Sequence, residues 1–244
     1  MLELDLWLEI AKSAALEGGN YLLQNQGKEL KVLMDSGRDI KLQLDTDTEK
    51  LIKESLSLQS SFSILGEETG LSNNLGEFYW VVDPLDGTSN FLRDIPISCV
   101  SIALMQDVTP ILGVIYDFNH DDLYFGHQNS KAFLNQNEIT VSDYSKKNQS
   151  TLVTGIPAKT HYSDEEFKNM INDFQDWKKV RMIGSAAMAA IYVAAGKAET
   201  YKENGIFLWD IAAGAAIVEA AGGVASIKNI QADYRVDAIF TNQH

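Results

Sequence analysis

The sequence predicts a mixed α+β and α/β fold, in which helices cover an antiparallel sheet and a smaller layer of alternating strands and helices follows. Three patterns indicate this fold: an amphipathic helix over Met1–Leu23, short apolar strands between Phe78 and Gly126, and alternating strand and helix signals from Thr151 onward. An apolar share of 45% with only 4 prolines is typical of a globular protein. We therefore expect a sizeable packed core.

The domain organisation is predicted as one unit, 1–244, with approximate sub-parts 1–145 and 146–244. The polar segment Ser142–Ser150 is the best candidate for the boundary between the two sub-parts. The sequence contains no internal repeat and no low-complexity tract.

The first sub-part is predicted to contain two helices and a meander of strands. The second helix is expected over Asp45–Leu58, with Asp45 or Thr46 as its cap, after extended segments within Leu30–Leu44. Polar residues and turns separate the predicted strands, which are Ser63–Gly66, Phe78–Val82, Ile97–Met105, Ile111–Tyr116 and Asp122–Gly126.

The second sub-part alternates strand and helix. The predicted elements are a strand at Leu152–Thr154, a helix at Asp164–Phe174, a strand at Val180–Ile183, a helix at Ser185–Ala195 and a strand at Ala198–Tyr201. A further helix, capped by Asp210 and ended by Gly222, has small or apolar residues on nearly every face. This last helix must be buried.

Composition restricts the classes of function. The net charge of -14 argues against a surface for nucleic acid or for an anionic membrane. The single cysteine, Cys99, excludes an internal disulfide and fits a reducing compartment. The N-terminal segment is amphipathic rather than a signal peptide, and no apolar run is long enough to span a bilayer. We therefore expect a cytoplasmic protein.

The segment Trp80–Phe91 predicts a metal and phosphate site. Asp83 and Asp86 flank Pro84, which is expected to end the strand and fix the turn. Two carboxylates this close repel each other unless a cation neutralises them. Gly87 supplies backbone freedom, and the next residues offer hydroxyl, amide and N–H donors where a helix could begin: Thr88, Ser89 and Asn90. A turn with a helix cap would explain Asp83-Pro84 or Gly87-Thr88 taken alone, but not the complete segment.

Asp210 is a second candidate ligand. An aspartate before a helix is often only a cap, yet a carboxylate at the start of a deeply buried helix is costly without a nearby positive charge. The helix dipole supplies only about half a charge, so a metal ion would complete the explanation. Oxygen ligands suit Mg²⁺ or Mn²⁺ rather than zinc, and the four histidines lack zinc-ligand spacing.

Three separated motifs resemble the signatures of the inositol monophosphatase family in order and spacing. They are Gly66-Glu67-Glu68, the segment Asp83–Phe91, and Trp209–Gly214 followed by Glu219–Gly223. The resemblance implies a magnesium-dependent, lithium-sensitive phosphatase and a homodimer. It also implies a layered αβαβα sandwich of the inositol monophosphatase and fructose bisphosphatase type.

The same resemblance implies roles for individual residues. Up to three magnesium ions, with Mn²⁺ as a possible substitute, would be held by Glu67, Asp83, the carbonyl of Leu85, Asp86 and Asp210. Thr88 would position the attacking water together with Glu67 and Asp45, which lies four residues before a matching Glu49. The small phosphorylated substrate would contact Gly87, Thr88, Ser89, Gly184, Ser185, Glu203 and Asp210.

Departures from the family pattern concern the substrate. The lysine common before the second helix is absent or relocated, with Arg38 or Lys41 as possible substitutes, and an ungapped alignment favours Asp45 over Asp47. Phe207 stands where inositol phosphatases often have a histidine, which removes a polar contact near the ring.

Several functions remain open at this point. Ser89-Asn90-Phe91 favours inositol monophosphate or a similar small polyol or sugar phosphate as the substrate. A 3′(2′),5′-bisphosphate nucleotidase and a fructose 1,6-bisphosphatase are alternatives within the superfamily. A regulatory binding protein on the same scaffold is the alternative outside enzymes, although it would have no chemical need for all the acids.

Overall fold

The computed structural model describes residues 3–36, 39–158 and 161–242, and of Asp39 only the backbone. Helices α1 to α6 span Leu4–Asn25, Gln43–Ser57, Thr88–Phe91, Asp164–Phe174, Ala186–Ala194 and Leu208–Ala220. Strands β1 to β8 span Val32–Ser36, Asp39–Leu42, Ser63–Gly66, Gly70–Leu71, Phe78–Asp86, Cys99–Gln106, Thr109–Asp117 and Asp122–His127. Strands β9 to β15 span Ala132–Leu134, Asn137–Ile139, Thr151–Thr154, Lys179–Met182, Thr200–Phe207, Val224–Lys228 and Arg235–Thr241.

These elements form successive layers. Helices α1 and α2 cover one face of an eight-stranded sheet with the order β10-β9-β8-β7-β6-β5-β3-β4, and α5 and α6 cover its other face. Beyond these helices lies a five-stranded sheet, β12-β11-β13-β15-β14, with α4 on its outer side. The expected layered αβαβα sandwich is therefore confirmed.

The large sheet contains the predicted meander. From β5 to β10 every neighbouring pair is antiparallel, whereas β3 runs parallel to β5. The expectation that Pro84 ends β5 is wrong, because the strand continues to Asp86. A shift of register between Asp83 and Asp86 leaves Pro84 outside the regular ladder, where its missing N–H costs no hydrogen bond.

The two helices α2 and α6 begin earlier than predicted. Asp45 and Asp210 were expected as caps, but each is the third residue of its helix. Each carboxylate accepts a hydrogen bond from the backbone N–H of the residue before the helix, Leu42 or Phe207. The helices therefore include apolar residues ahead of the aspartates, which bury side chains in the core.

Helix α6 lies between the two sheets and is buried along most of its length, as its composition predicts. Gly222 follows the helix with a φ of 88°, so it ends α6 in the left-handed conformation expected for glycine there. The strand predicted at Ala198–Tyr201 starts later and continues to Phe207. No helix in the described ranges has the length and hydrophobicity needed to cross a membrane.

Candidate active site

Three segments of the chain bring the predicted acids together. Because β3 and β5 are parallel neighbours, Glu67 after β3 and the acids at the end of β5 lie at the same edge of the sheet. The first turn of α6 adds Asp210. One carboxylate oxygen each from Asp83, Asp86 and Asp210 lies within 4.8 Å of the others, an arrangement suited to a metal ion.

Hydrogen bonds orient each of these three carboxylates. Asp83 Oδ1 accepts from the backbone N–H of Leu85 at 2.9 Å, which holds the turn around Pro84. Asp86 Oδ2 accepts from the Ser185 hydroxyl at 2.5 Å and from the Ala187 N–H at 2.7 Å. These hydrogen bonds hold the carboxylates in fixed orientations. Groups that bond to the ligands of a metal ion commonly have this role in metal sites.

Asp45 lies beside this cluster. Its side chain is only 2% exposed, and its Oδ2 accepts from Leu42 N–H at 2.8 Å. Its Oδ1 is buried and has no hydrogen-bond partner among the described residues. Asp47 is instead exposed and bonded to Gln43. Asp45 therefore has a buried carboxylate oxygen without a hydrogen-bond partner among the described residues, whereas Asp47 lies at the surface.

The electrostatics of the cluster favour binding of a positive charge. Desolvation, reinforced by neighbouring acids, raises the pKa of Glu67 to about 8, and desolvation raises that of Asp86 to about 6. Desolvation also raises the pKa of Asp83 and Asp210 well above the ordinary range, with a further contribution from repulsion by the other acids. Such carboxylates ionise readily only beside a cation. The oxygen-only donors and the orphaned Asp45 Oδ1 fit a hard divalent ion such as Mg²⁺.

A buried glutamate supports the loop that carries Glu67. Glu49 accepts from the backbone N–H groups of Glu68 at 2.7 Å and Thr69 at 3.1 Å, and it pairs with Lys53 at 3.1 Å. A Cβ on Gly66 would lie 2.4 Å from the Glu49 carboxyl carbon, so only glycine permits this close approach. No separate role was expected for Glu49 from the sequence, although its position one turn after Asp45 places both acids on one helix face.

The phosphate side of the predicted site follows β5. Gly87 has a φ of 89°, a conformation that favours glycine, and it leads into α3. The Thr88 hydroxyl donates to the carbonyl of Leu85 at 3.0 Å, which joins two of the predicted site residues. Ser89 is exposed and accepts from Arg93 at 2.9 Å.

A cavity of about 380 Å³ opens beside the acids. The predicted site residues that line it are Glu67, Asp86, Ser89, Gly184, Ser185, Glu203 and Asp210. Asp45, Asp83, Leu85, Gly87 and Thr88 are not part of this lining. The cavity therefore brings together five of the seven predicted substrate residues, and Gly87 and Thr88 lie outside its lining.

Two further residues of the cavity bear on the substrate. Desolvation raises the pKa of the buried Glu203 to about 8, with a smaller contribution from Asp86, so its carboxyl group can hold a proton and donate to a hydroxyl. Lys41 lines the cavity and lies 3.2 Å from Glu68. Arg38, the other predicted substitute for the family lysine, lies outside the described residues.

Two aromatic residues next to Asp210 line the cavity. Phe207 stacks on Trp209 with ring centroids 4.6 Å apart and an interplanar angle of 8°. From the sequence, Phe207 was expected only to remove a polar contact. The position of both residues directly ahead of Asp210 was the available signal that rings line this part of the cavity.

The chain is similar in sequence to a known family and to named relatives. The family model described as the inositol monophosphatase family matches residues 3–235. A protein of Xylella fastidiosa named Nus factor SuhB is 38% identical over 220 residues, which cover 88% of this chain and 80% of that protein. An inositol-1-monophosphatase of Synechocystis is 35% identical over 235 residues, covering 92% and 79% of the two chains.

The fold also matches a solved structure. The crystal structure of the extragenic suppressor protein suhB from Bartonella henselae superposes with a TM-score of 0.87 at 31% identity. The match covers 98% of this chain and 95% of that one. The chain therefore belongs to the inositol monophosphatase family of phosphoric monoester hydrolases.

Proposed function

We propose that the protein hydrolyses the phosphate ester of inositol or of a similar small polyol or sugar, with Mg²⁺ held in the acidic cluster. The observation that carries the proposal is the convergence of Asp83, Asp86 and Asp210 oxygens within 4.8 Å at the edge of the substrate-sized cavity. Glu67 and the carbonyl of Leu85 complete the proposed ligand set. Family membership supports the reaction class.

Bound Mg²⁺ would lower the pKa of a water molecule and offset charge on the phosphate as it reacts. The chain's own groups orient that water. Thr88 donates its hydroxyl proton to the Leu85 carbonyl, so its oxygen lone pairs remain available to accept from water. Asp45 Oδ1 offers a buried acceptor on the Glu67 side. We assign the positioning of water to Thr88, Glu67 and Asp45.

The polar part of the cavity supports binding of a phosphorylated alcohol. Lys41 supplies positive charge to a phosphate beside the acids. Ser89, Gly184 and Ser185 surround the same space, and Glu203 reaches it from β13. We propose that Glu203 binds the hydroxyl groups of the substrate, because a buried carboxyl group can either donate a hydrogen bond to a hydroxyl or accept one from it.

Release of phosphate with Mg²⁺ tests the proposal. Inositol 1-phosphate, 3′-phosphoadenosine 5′-phosphate and fructose 1,6-bisphosphate would be compared by kcat/KM. We expect the polyol phosphate to be preferred, whereas a preference for the nucleotide or the bisphosphate of about tenfold would overturn the substrate assignment. Asp45→Asn should lower kcat, while the matched Asp47→Asn on the same helix should not.

A regulatory role is a second candidate, because the relative at 38% identity is named a Nus factor. Such a role needs the surface of the protein but not a charged metal site. Asp86→Asn keeps the side-chain shape and removes the charge, so it separates the two roles. Loss of phosphate release with retention of a regulatory phenotype would assign both functions to this chain.

A further inference from the structure

The lining of the cavity combines two kinds of side chain. The polar ones include the acids and Lys41. The apolar ones are Ile156, Pro157, Ala158, Ile206 and Phe207, together with the ring of Trp209, whose buried Nε1 has no hydrogen-bond partner among the described residues. A hydroxyl group placed against the aliphatic and phenyl side chains would lose hydrogen bonds to water without replacing them.

The aromatic part of this lining is tied directly to the proposed metal site. Phe207 precedes α6 and Trp209 lies in its first turn, next to Asp210. The Phe207 N–H donates to Asp210 Oδ2 at 3.2 Å, and the two rings are nearly parallel at 8°. Tyr234 packs against the Trp209 ring with a centroid distance of 6.3 Å. Phe207 and Trp209 are thus held at a fixed position relative to Asp210.

We infer that, among the phosphate monoesters of small hydroxylated alcohols, the cavity favours those that also carry a flat apolar ring, which packs against Phe207 and Trp209. This inference rests on the proposed phosphatase function and narrows its substrate class. The ring would contact the apolar side chains of the lining, while the hydroxyl group binds the polar residues that include Glu203.

The charges of the cavity favour a monoester over a bisphosphate. Among the described lining residues Lys41 is the one basic side chain, against the acids Glu67, Asp86, Glu203 and Asp210. A second phosphate on the leaving group would approach the apolar side chains of the lining, where no described lining residue is a cation. A neutral ring meets no such penalty.

A matched pair of esters tests the inference. The phosphates of 3-phenoxy-1,2-propanediol and 3-methoxy-1,2-propanediol, both esterified at the primary alcohol, share the leaving oxygen and the free hydroxyl. They differ only in the group on the ether oxygen, which is phenyl in one ester and methyl in the other. With the wild-type protein and Mg²⁺ we expect kcat/KM for the phenoxy ester to exceed that for the methoxy ester by about tenfold.

Variants separate packing against the aromatic rings from general apolar binding. Phe207→Leu keeps apolar volume without a flat ring, so the phenoxy to methoxy ratio should fall at least about threefold. The control Phe133→Leu removes one ring of a stacked pair elsewhere, Phe125 and Phe133, and should leave the ratio unchanged.

Three outcomes are distinguishable. Hydrolysis of both esters with equal kcat/KM in the wild type would overturn the ring inference and leave the proposed phosphatase intact. A ratio unchanged by Phe207→Leu in a folded variant would also overturn it. Failure to hydrolyse either ester, or inositol 1-phosphate, would refute the proposed function and the inference with it.

Discussion

Replacing Glu49 by glutamine should loosen the loop that carries Glu67, a proposed metal ligand. Glu49 is fully buried, and its two oxygens face different donors. Oε1 faces the Thr69 N–H at 3.1 Å, the Thr69 hydroxyl at 2.5 Å and Lys53 at 3.1 Å. Oε2 accepts from the Glu68 N–H at 2.7 Å. A glutamine has one oxygen and one NH₂ group, so it cannot satisfy both sets.

The expected loss of stability in Glu49→Gln follows from these hydrogen bonds. The best orientation of the substituted side chain keeps its oxygen toward Thr69 and Lys53 and turns its NH₂ group toward the Glu68 N–H. One hydrogen bond to a charged acceptor is then lost, which costs about 1.5–3 kcal/mol, and the remaining bonds weaken because the charge is gone. We expect a loss of about 3 kcal/mol in the free energy of unfolding and a weakening of Mg²⁺ binding of about tenfold.

Urea unfolding and the Mg²⁺ dependence of phosphate release measure the two effects. Glu54→Gln on the same helix is the matched control, because Glu54 is 68% exposed and lies 4.0 Å from Lys50. A surface pair of this kind contributes about 0–1 kcal/mol. A Glu49→Gln protein with the stability and Mg²⁺ dependence of the Glu54→Gln control would refute the supporting role of Glu49.

Two further predictions concern water and pH. Thr88→Ala removes the hydroxyl proposed to orient water, so kcat should fall by about 100-fold with little change in KM. Steady-state kinetics measure both constants. A rise in KM with an unchanged kcat would contradict the proposed role of Thr88. In the metal-free protein the raised pKa values of Glu67 (about 8) and Asp86 (about 6) mean that the folded state keeps protons that the unfolded chain releases. The free energy of unfolding of the metal-free protein should therefore fall as the pH rises through these two pKa values. Added Mg²⁺, which needs the ionised acids, should raise Tm more at about pH 8 than at about pH 5.5. Equal Tm shifts at the two pH values would contradict the cation site.

The sequence predicted the layers because local patterns define them. The alternating apolar segments of the meander and the uniformly apolar α6 leave few other ways to bury their surfaces. The helix starts at Asp45 and Asp210 were misplaced for one physical reason. An aspartate three residues into a helix bonds the N–H before the helix, and in sequence it resembles a cap.

The strand end at Pro84 was misplaced because proline usually disrupts a ladder. A register shift between Asp83 and Asp86 absorbs it, and such a shift depends on the partner strand β6 rather than on local sequence. Long-range pairing of this kind has no local signal.

The candidate site was predictable where its residues are adjacent in the chain, as in Asp83–Thr88. The contacts that support it were not, because they join distant segments. Glu49 bonds a loop nearly twenty residues away, and Ser185 bonds Asp86 across the two sub-parts. The stacking of Phe207 on Trp209 depends on the start of α6, which was itself misplaced.

We propose that the acidic cluster is a Mg²⁺ site that performs phosphate ester hydrolysis. The most direct measurement is the initial rate of phosphate release from inositol 1-phosphate by wild type and Asp86→Asn, in excess chelator and then with added Mg²⁺. We predict no release in chelator, recovery with Mg²⁺ in the wild type, and a rate at least about 100-fold lower in Asp86→Asn. Release that survives the chelator or the Asp86→Asn substitution would contradict the claim.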